Sequence, residues 1–503
     1  NARRAQKETE RLSAIRALMD EKALEQIRQQ ALALQQRQEQ EDDPEILPRL
    51  GLADIPSTIA IPQGEKDQLG QMPIFWFKAA TNRLVYQQYI LDPPEMSEEF
   101  LELLPIFSSC LPEVGCGGRD YLETQAHQSA VSGGIAARVG LRADVESLDT
   151  FRCFFSISGK ALTRNHAALS QLLKDTLDTA RFDERSRLRE LIAQMRSSAE
   201  MRVTENGHIL ALSVAGAGLS RVAAMNDRWG GMVAVKRLKI MDKALDSSHE
   251  LDLFVERLEA LQDLLRTAPG QMLIVGEEED IPAFSDELAV KWGGREFTTG
   301  RAGIRFPGEL VGPEKTAWAT VTMVNFCARV HRTVPYAHPD APVLTVLGQY
   351  LKNGYLHRAI RERGGAYGGG AGYEADSGLF RFYSYRDPRM EETLADFQQS
   401  IEWLGSGKAE VRALEEAILG VVGSIDRPGS PAGESKRAFH DGLYGRTPQV
   451  RRTFRQRVME VTEADLMRVA QHYLDPAKAG FGLMTNAEIM EQRLGDDWVK
   501  KTL

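Results

Sequence analysis

The sequence predicts an α+β protein made of two homologous domains preceded by a long helix, and three observations carry that expectation. At 503 residues the chain is too long for one ordinary hydrophobic core, so two or more are expected. Short runs dense in apolar and aromatic residues, the mark of strands, occur beside stretches with helical apolar spacing. One order of elements also occurs twice. FRCFFSISGKA from Phe151 and LFRFYSYRDPR from Leu379 share a phenylalanine-aromatic-serine core, each follows a glycine pair (Gly133-Gly134, Gly364-Gly365), and each leads into a long amphipathic helix. A separation of roughly 230 residues is far too long for a solenoid period and suits two duplicated domains.

The chain opens with a predicted helical linker over residues 1–43. From Ala2 to about Glu41 there is neither proline nor glycine, and Leu12, Ile15, Leu18 and Met19, then Leu24, Ile27, Ala31 and Leu34, mark a narrow apolar stripe that needs a partner. A coiled-coil arm and one strand of a helical hairpin both fit that stripe. Pro44 and Pro48 forbid continuation, and the acidic cluster around Asp42 and Asp43 reads as a solvated linker.

Residues 50–279 read as the first α+β domain. Pro73–Ala79 and Leu84–Leu91 are expected to be paired strands joined by the turn Ala80-Thr81-Asn82. Ser97–Ser108, Ala167–Leu177, Glu184–Glu200 and Leu251–Arg266 have helical spacing, while Thr150–Ser158 and Met272–Gly276 have the density of buried strands. Residues 281–503 repeat this order as the second domain.

Composition narrows the function classes. A formal net charge of -9 argues against a nucleic-acid surface and suits neutral or basic peptides. The basic tract RRTFRQR from Arg451 reads as a solvated helix face. Cys110, Cys116, Cys153 and Cys327 contain no C-x-x-C pair, so free thiols in a reducing compartment are expected. No apolar run approaches the roughly 20 residues of a membrane span, NARRAQKETER is not a secretory signal, and a start at asparagine points to a trimmed or fragmentary chain.

The richest stretch is RAIRERGGAYGGGAGYEADSGLFRFYSYRDP, Arg358–Pro388. Leu344, Leu347, Leu351, Tyr355 and Arg358 predict a helix with one buried face, which Gly364 and Gly365 end. Arg361 and Tyr367 straddle that break and are expected to share one space. Chemistry alone accounts for them equally well as a surface ion pair and a packed aromatic, with Arg358 and Arg363 as competing candidates. Gly368-Gly369-Gly370 follows a helix and opens a strand, the wrong polarity for a phosphate loop. Gly405-Ser406-Gly407-Lys408 lacks the spacing of one, and no G-x-S-x-G elbow occurs.

RERGGAYGGGA followed by FYSYRDP resembles the C-terminal half of the presequence proteases, pitrilysin-type zinc metallopeptidases of the subgroup that includes falcilysin. The likeness runs along nearly the whole chain. It implies two pitrilysin-type α/β-sandwich domains, and it makes residues 1–43 the end of the helical hairpin that joins the two halves of such enzymes. It assigns a transition-state hydrogen bond to Tyr367 and substrate binding to Arg361, with Gly364, Gly365 and Gly368 letting a peptide backbone approach. A phenol donor aimed at the scissile oxygen stabilises the charge that develops there, and a guanidinium fork holds carbonyls or a carboxylate.

Zinc ligation by H-x-x-E-H, with its glutamate as general base, is absent from this sequence. His331 and His338 flank Pro335 and cannot share a helical face. The resemblance therefore implies that zinc is bound by an absent N-terminal half and not by this chain, which alone is inactive. Its implied partners are that catalytic half and unfolded peptides, with no nucleic acid and no membrane span, in a bacterial cytoplasm or an organelle matrix. A non-catalytic structural subunit of the same fold, and an independent scaffold, are the competing readings.

Overall fold

The computed structural model describes residues 2–39, 48–295, 304–306, 308–406 and 412–503. They form two compact units, Asn1–Ile55 and Pro56–Leu503. The first holds two helices, Ala2–Ala17 and Glu21–Glu39, where one uninterrupted helix was expected. The break needs no proline or glycine: the Asp20 carboxylate accepts a hydrogen bond from the Ala23 N–H at 2.7 Å and so caps a new helix. The acidic cluster at Asp42-Asp43 and Pro44 lie outside the described residues, as do Gly407 and Lys408.

The second unit contains two six-stranded mixed sheets. Strands β1 (Glu65–Leu69), β2 (Met72–Lys78), β3 (Leu84–Leu91), β4 (Ile135–Ala143), β5 (Phe151–Leu162) and β6 (Gly270–Gly276) form the first, ordered β1-β2-β6-β3-β5-β4. Strands β7 (Lys315–Ala319), β8 (Phe326–Arg332), β9 (Gly368–Glu374), β10 (Leu379–Tyr385), β11 (Ala479–Thr485) and β12 (Val499–Thr502) form the second, ordered β12-β7-β11-β8-β10-β9. From β2 to β4 and from β7 to β9 the order and the strand senses are the same, one parallel pair followed by antiparallel ones. Phe154–Ile157 on β5 and Phe382–Tyr385 on β10 thus hold equivalent places, one strand in from the edge.

β2 and β3 exist as expected but do not pair with each other. β6 lies between them, parallel to β2 and antiparallel to β3. Its residues Met272–Gly276 are all buried, and a strand apolar on both faces belongs inside a sheet. The connection accommodates this through Asn82 and Arg83, both at positive φ (54° and 62°), which carry the chain across instead of folding it into a tight hairpin.

The two sheets share their cores. One face of the first sheet rests on a large cluster that includes Leu104, Phe107, Phe155, Leu173 and Leu258. Its other face, with Phe77, Ile90, Phe154 and Val275, is covered by Ala432 and Phe439 of the helix Pro431–Leu443. Reciprocally, Leu210, Ala211 and Ala215 of the helix Gly207–Gly216 pack on Phe326, Ala328, Val330, Leu379 and Met484 of the second sheet. A Cβ at Gly480 or Gly482 of β11 would overlap the carbonyl of Ala215 or Ala211, so helix and strand meet backbone to backbone. Arg142 of β4 joins the exchange, reaching Asp376 at 3.4 Å and Asp441 at 3.3 Å, while Arg446 bonds Asp376 at 2.5 Å.

All four cysteines are free and buried. In β8, Arg329 is only 2% exposed and bonds the Gln398 side chain (3.0 Å) and the Phe397 carbonyl (3.2 Å). Two residues on, His331 is buried with neither ring nitrogen bonded. Burial, helped by the Arg329 charge, pushes its pKa down to about 3. Between that value and the ordinary value of about 6.5 the unfolded chain binds the extra proton, so stability is full above about pH 6.5 and falls as the pH drops toward 3, by up to ~1.4 kcal/mol per unit. His331→Leu should flatten this part of the profile, as denaturant midpoints at about pH 7.5 and about pH 5 will read. Equal acid losses in both proteins would exclude His331 as the source.

Candidate functional site

The helix Asp340–Leu351 passes directly into a π-helix, Lys352–Arg363. Such i→i+5 winding is uncommon and concentrates at functional sites. The absence of a side chain at Gly354 helps accommodate it here, because the Trp403 ring occupies the space a Cβ would need. The winding ends at the glycine pair. Gly365 sits at φ 77°, and the N–H groups of Gly365 and Ala366 bond the carbonyls of Arg361 and Ile360, both at 3.1 Å. Each bond is one residue wider than in a Schellman turn, as a π-helix requires.

The chain then turns into β9. The Tyr367 N–H donates to the Tyr385 carbonyl at 3.0 Å, and the Tyr367 ring stands edge-on to the Tyr385 ring, 5.7 Å between centroids at 79°. Tyr367 is 68% exposed, and among the described residues its phenol has no hydrogen-bond partner. Arg361 is exposed too, and its guanidinium forms no ion pair among the described residues. The structure thus leaves both groups open to a ligand at the two ends of one glycine turn. Arg358 and Arg363 are placed differently. They line a cleft of about 740 Å³ with Tyr355, His357, Glu362 and Trp403, which neither Arg361 nor Tyr367 lines.

The glycines have distinct duties. Gly364 is buried, and a Cβ there would overlap the Arg389 guanidinium and come within 2.5 Å of the Ile360 carbonyl. Packing therefore accounts for Gly364, not the substrate approach expected of it. Arg389 is itself fixed by Asp396 at 2.9 Å. Gly369 and Gly370 lie against Ile360 and Lys352, and Gly372 against Gly348, whose Cβ would be 2.6 Å from its Cα, so the run brings β9 close beneath the helix. Only at Gly368 does a Cβ meet open space among these strand glycines on the Tyr367 side.

The turn after β10 was read from sequence only as a strand end, yet it shapes the site. Arg386 has φ 51°, and its guanidinium lies over the Tyr385 ring at 5.4 Å. Asp387 is fully buried, accepting from Thr393 Oγ1 (2.7 Å) and the Arg389 N–H (2.9 Å), while its backbone exchanges two 2.8 Å bonds with Asn325. Tyr385 also meets Phe326 at 5.8 Å and His208 at 4.9 Å. His208 comes from the helix Gly207–Gly216, and nothing in its own sequence neighbourhood announces a place here. Among the described residues no group of three His, Cys, Asp or Glu side chains gathers to hold a metal. His338 instead accepts the Asp340 N–H at 3.1 Å and shapes the start of the preceding helix.

Comparison with known proteins places these observations. A family model for the associated domain of peptidase family M16, subfamily C, matches residues 1–241, and one described as "PreP C-terminal domain" matches residues 317–485. Mitochondrial presequence protease from Danio rerio is 28% identical over 99% of this chain and 50% of its own length. That from Saccharomyces cerevisiae is 27% identical over 96% of this chain and 49% of its own. The chain spans about half the length of the curated relatives it matches. Among solved structures, a protease from Helicobacter pylori aligns at TM-score 0.60 with 13% identity, over 85% of this chain and 100% of that one. A peptidase M16 inactive domain from Pseudomonas fluorescens aligns at 0.60 with 15% identity, over 84% and 98%. At such identities the structural likeness bears on the fold alone.

The glycine geometry predicts an order of stability losses. Gly364→Ala should cost roughly 2–3 kcal/mol through overpacking, Gly365→Ala about 1–2 kcal/mol through left-handed strain, and Gly368→Ala close to nothing. Denaturant midpoints of the three variants check the order, and a Gly368→Ala loss equal to that of Gly364→Ala would refute it.

Proposed function

Because the chain belongs to the presequence-protease group of the pitrilysin-type (M16) peptidases, as their C-terminal half, we propose that it is the substrate-binding half of a clamshell zinc metalloendopeptidase that degrades unfolded peptides in a closed chamber. The observation that carries this reading is the pairing of an exposed, unbonded Tyr367 phenol with an exposed, unpaired Arg361 at one glycine turn. The described residues do not fit a zinc ion, so zinc and the general base belong to an N-terminal half, on the same polypeptide or a separate subunit. A bacterial cytoplasm or an organelle matrix is the proposed setting, the latter in keeping with mitochondrial relatives. Among the described residues no helix is long and apolar enough to cross a membrane.

Within the assembled enzyme, Tyr367 donates a hydrogen bond to the scissile carbonyl oxygen as negative charge builds there, and so favours the transition state over the ground state. Arg361 holds the backbone carbonyls or a carboxylate of the extended peptide and keeps it in register. Gly365 supplies the turn and Gly368 the open backbone beside them. Residues 50–279 and 281–503 are taken as two related domains, a division supported by their common strand order. A purely structural subunit would have no use for two unpaired polar groups displayed in this way.

Steady-state cleavage of an unstructured peptide by the assembled enzyme tests the roles. Tyr367→Phe should lower kcat by roughly tenfold to a thousandfold with less change in KM, and Arg361→Ala should raise KM as well as lower kcat. Both variants should melt with the parent, since both side chains are exposed. Parental kinetics for Tyr367→Phe would remove the catalytic role.

A further inference from the structure

We propose that Tyr385, with Arg386 and His208 behind it, is the positioning residue that holds the Tyr367 phenol in its working orientation. The inference rests on the role given to Tyr367 above and assigns a purpose to the Tyr385-Arg386-Asp387-Pro388 turn, which that role leaves unexplained.

An exposed tyrosine on a glycine-rich strand has few neighbours to fix it, and an undirected phenol would add little to catalysis. Tyr367 is flanked by glycines on the strand side and by Ala366 on the other. Its backbone is set from β10 and the turn: its N–H meets the carbonyls of Tyr385 at 3.0 Å and of Arg386 at 3.4 Å. Its ring is set by the Tyr385 ring alone among described aromatic contacts, edge to face at 79°. One residue pair therefore controls both ends of Tyr367.

Tyr385 is itself braced on three sides. Phe326 lies 5.8 Å away and His208 4.9 Å, the latter at 69°, and the Arg386 guanidinium lies 5.4 Å from its ring centroid. Arg386 is held in the left-handed region, where a residue with a side chain is strained. That conformation points its carbonyl toward the Tyr367 N–H while its side chain returns over Tyr385. Buried Asp387, bonded to Thr393, Arg389 and Asn325, anchors the turn that pays this strain. His208 is half-buried, and its Nδ1 is enclosed without a partner. Burial lowers its pKa, so it meets Tyr385 as a neutral ring. It comes from the helix seated on β11, so the order of Tyr367 depends on residues far away in sequence.

The test uses the 503-residue chain with 3-fluorotyrosine placed at position 367, read by fluorine NMR. The parent should give one resonance displaced from that of free fluorotyrosine by the neighbouring ring. Tyr385→Leu should return it to the free value, and Tyr385→Phe, which keeps the ring, should leave it displaced. Should Tyr385→Leu fold poorly, His208→Ala serves instead, with a partial return expected. A resonance unmoved by Tyr385→Leu, or by His208→Ala in its place, overturns the proposal. In the assembled enzyme Tyr385→Leu should lower kcat roughly tenfold with KM nearly constant, and should lower it no further when Tyr367→Phe is already present. Additive losses in that double variant would make Tyr385 merely structural. Failure of the Tyr367 role shows instead as parental kinetics of Tyr367→Phe with the fluorine shifts intact.

Discussion

The contact on which the rest of the structure depends is the seating of the helix Gly207–Gly216 on β11. Helices usually meet sheets through side chains; here Gly480 and Gly482 remove them, and the carbonyls of Ala211 and Ala215 come down onto the strand. This binds a helix from the first block into the hydrophobic cluster of the second sheet. The helix Pro431–Leu443 makes the reverse journey and covers the first sheet with Ala432 and Phe439. Neither sheet has a complete core without the other block. The exchange also fixes the site, because the same helix delivers His208 to the Tyr385 ring and Gly207 to the Phe326 ring.

The polar joint between the sheets works in the same direction. Asp376 lies in the turn between β9 and β10, and it accepts from Arg446 and pairs with Arg142, while its carbonyl takes the Ala143 N–H at 2.7 Å. The far end of the hairpin that carries Tyr367 and Tyr385 is thereby tied to the edge of the first sheet. Partly buried, multiply bonded ion pairs of this kind fix geometry more than they add stability. The hairpin is held at its turn by Asp376 and at its open end by buried Asp387, leaving Tyr367 exposed on a firm mount.

Much of this was legible in the sequence wherever local chemistry decides. The two glycine pairs were readable as equivalent, and in each the second glycine takes a positive φ, 102° at Gly134 and 77° at Gly365, just before an edge strand. Ser97 caps its predicted helix through the Phe100 N–H, and β5 and β10 fall where their aromatic runs placed them. What local pattern could not supply is partner choice. β2 and β3 have the composition of a hairpin, but β6 is apolar on both faces and claims the place between them. The helix break at Asp20 depends on one carboxylate turning back to cap. The exchange of helices leaves no local trace, since Leu210 and Phe439 would be equally at home on either sheet. At the site, Arg361 was one of three neighbouring arginines; Arg358 and Arg363 line a cleft that Arg361 does not, a separation that π winding makes and α-helical spacing would misplace.

The central claim is that this chain supplies a substrate-binding surface and leaves the metal and the general base to another half. Metal content and peptide hydrolysis of the purified 503-residue chain, measured alone and after joining to the half that bears H-x-x-E-H, test it most directly. The account predicts no stoichiometric zinc and no cleavage by the chain alone, with chelator-sensitive cleavage once the halves are joined. A tightly bound zinc in the isolated chain, together with chelator-sensitive peptide hydrolysis, would contradict it.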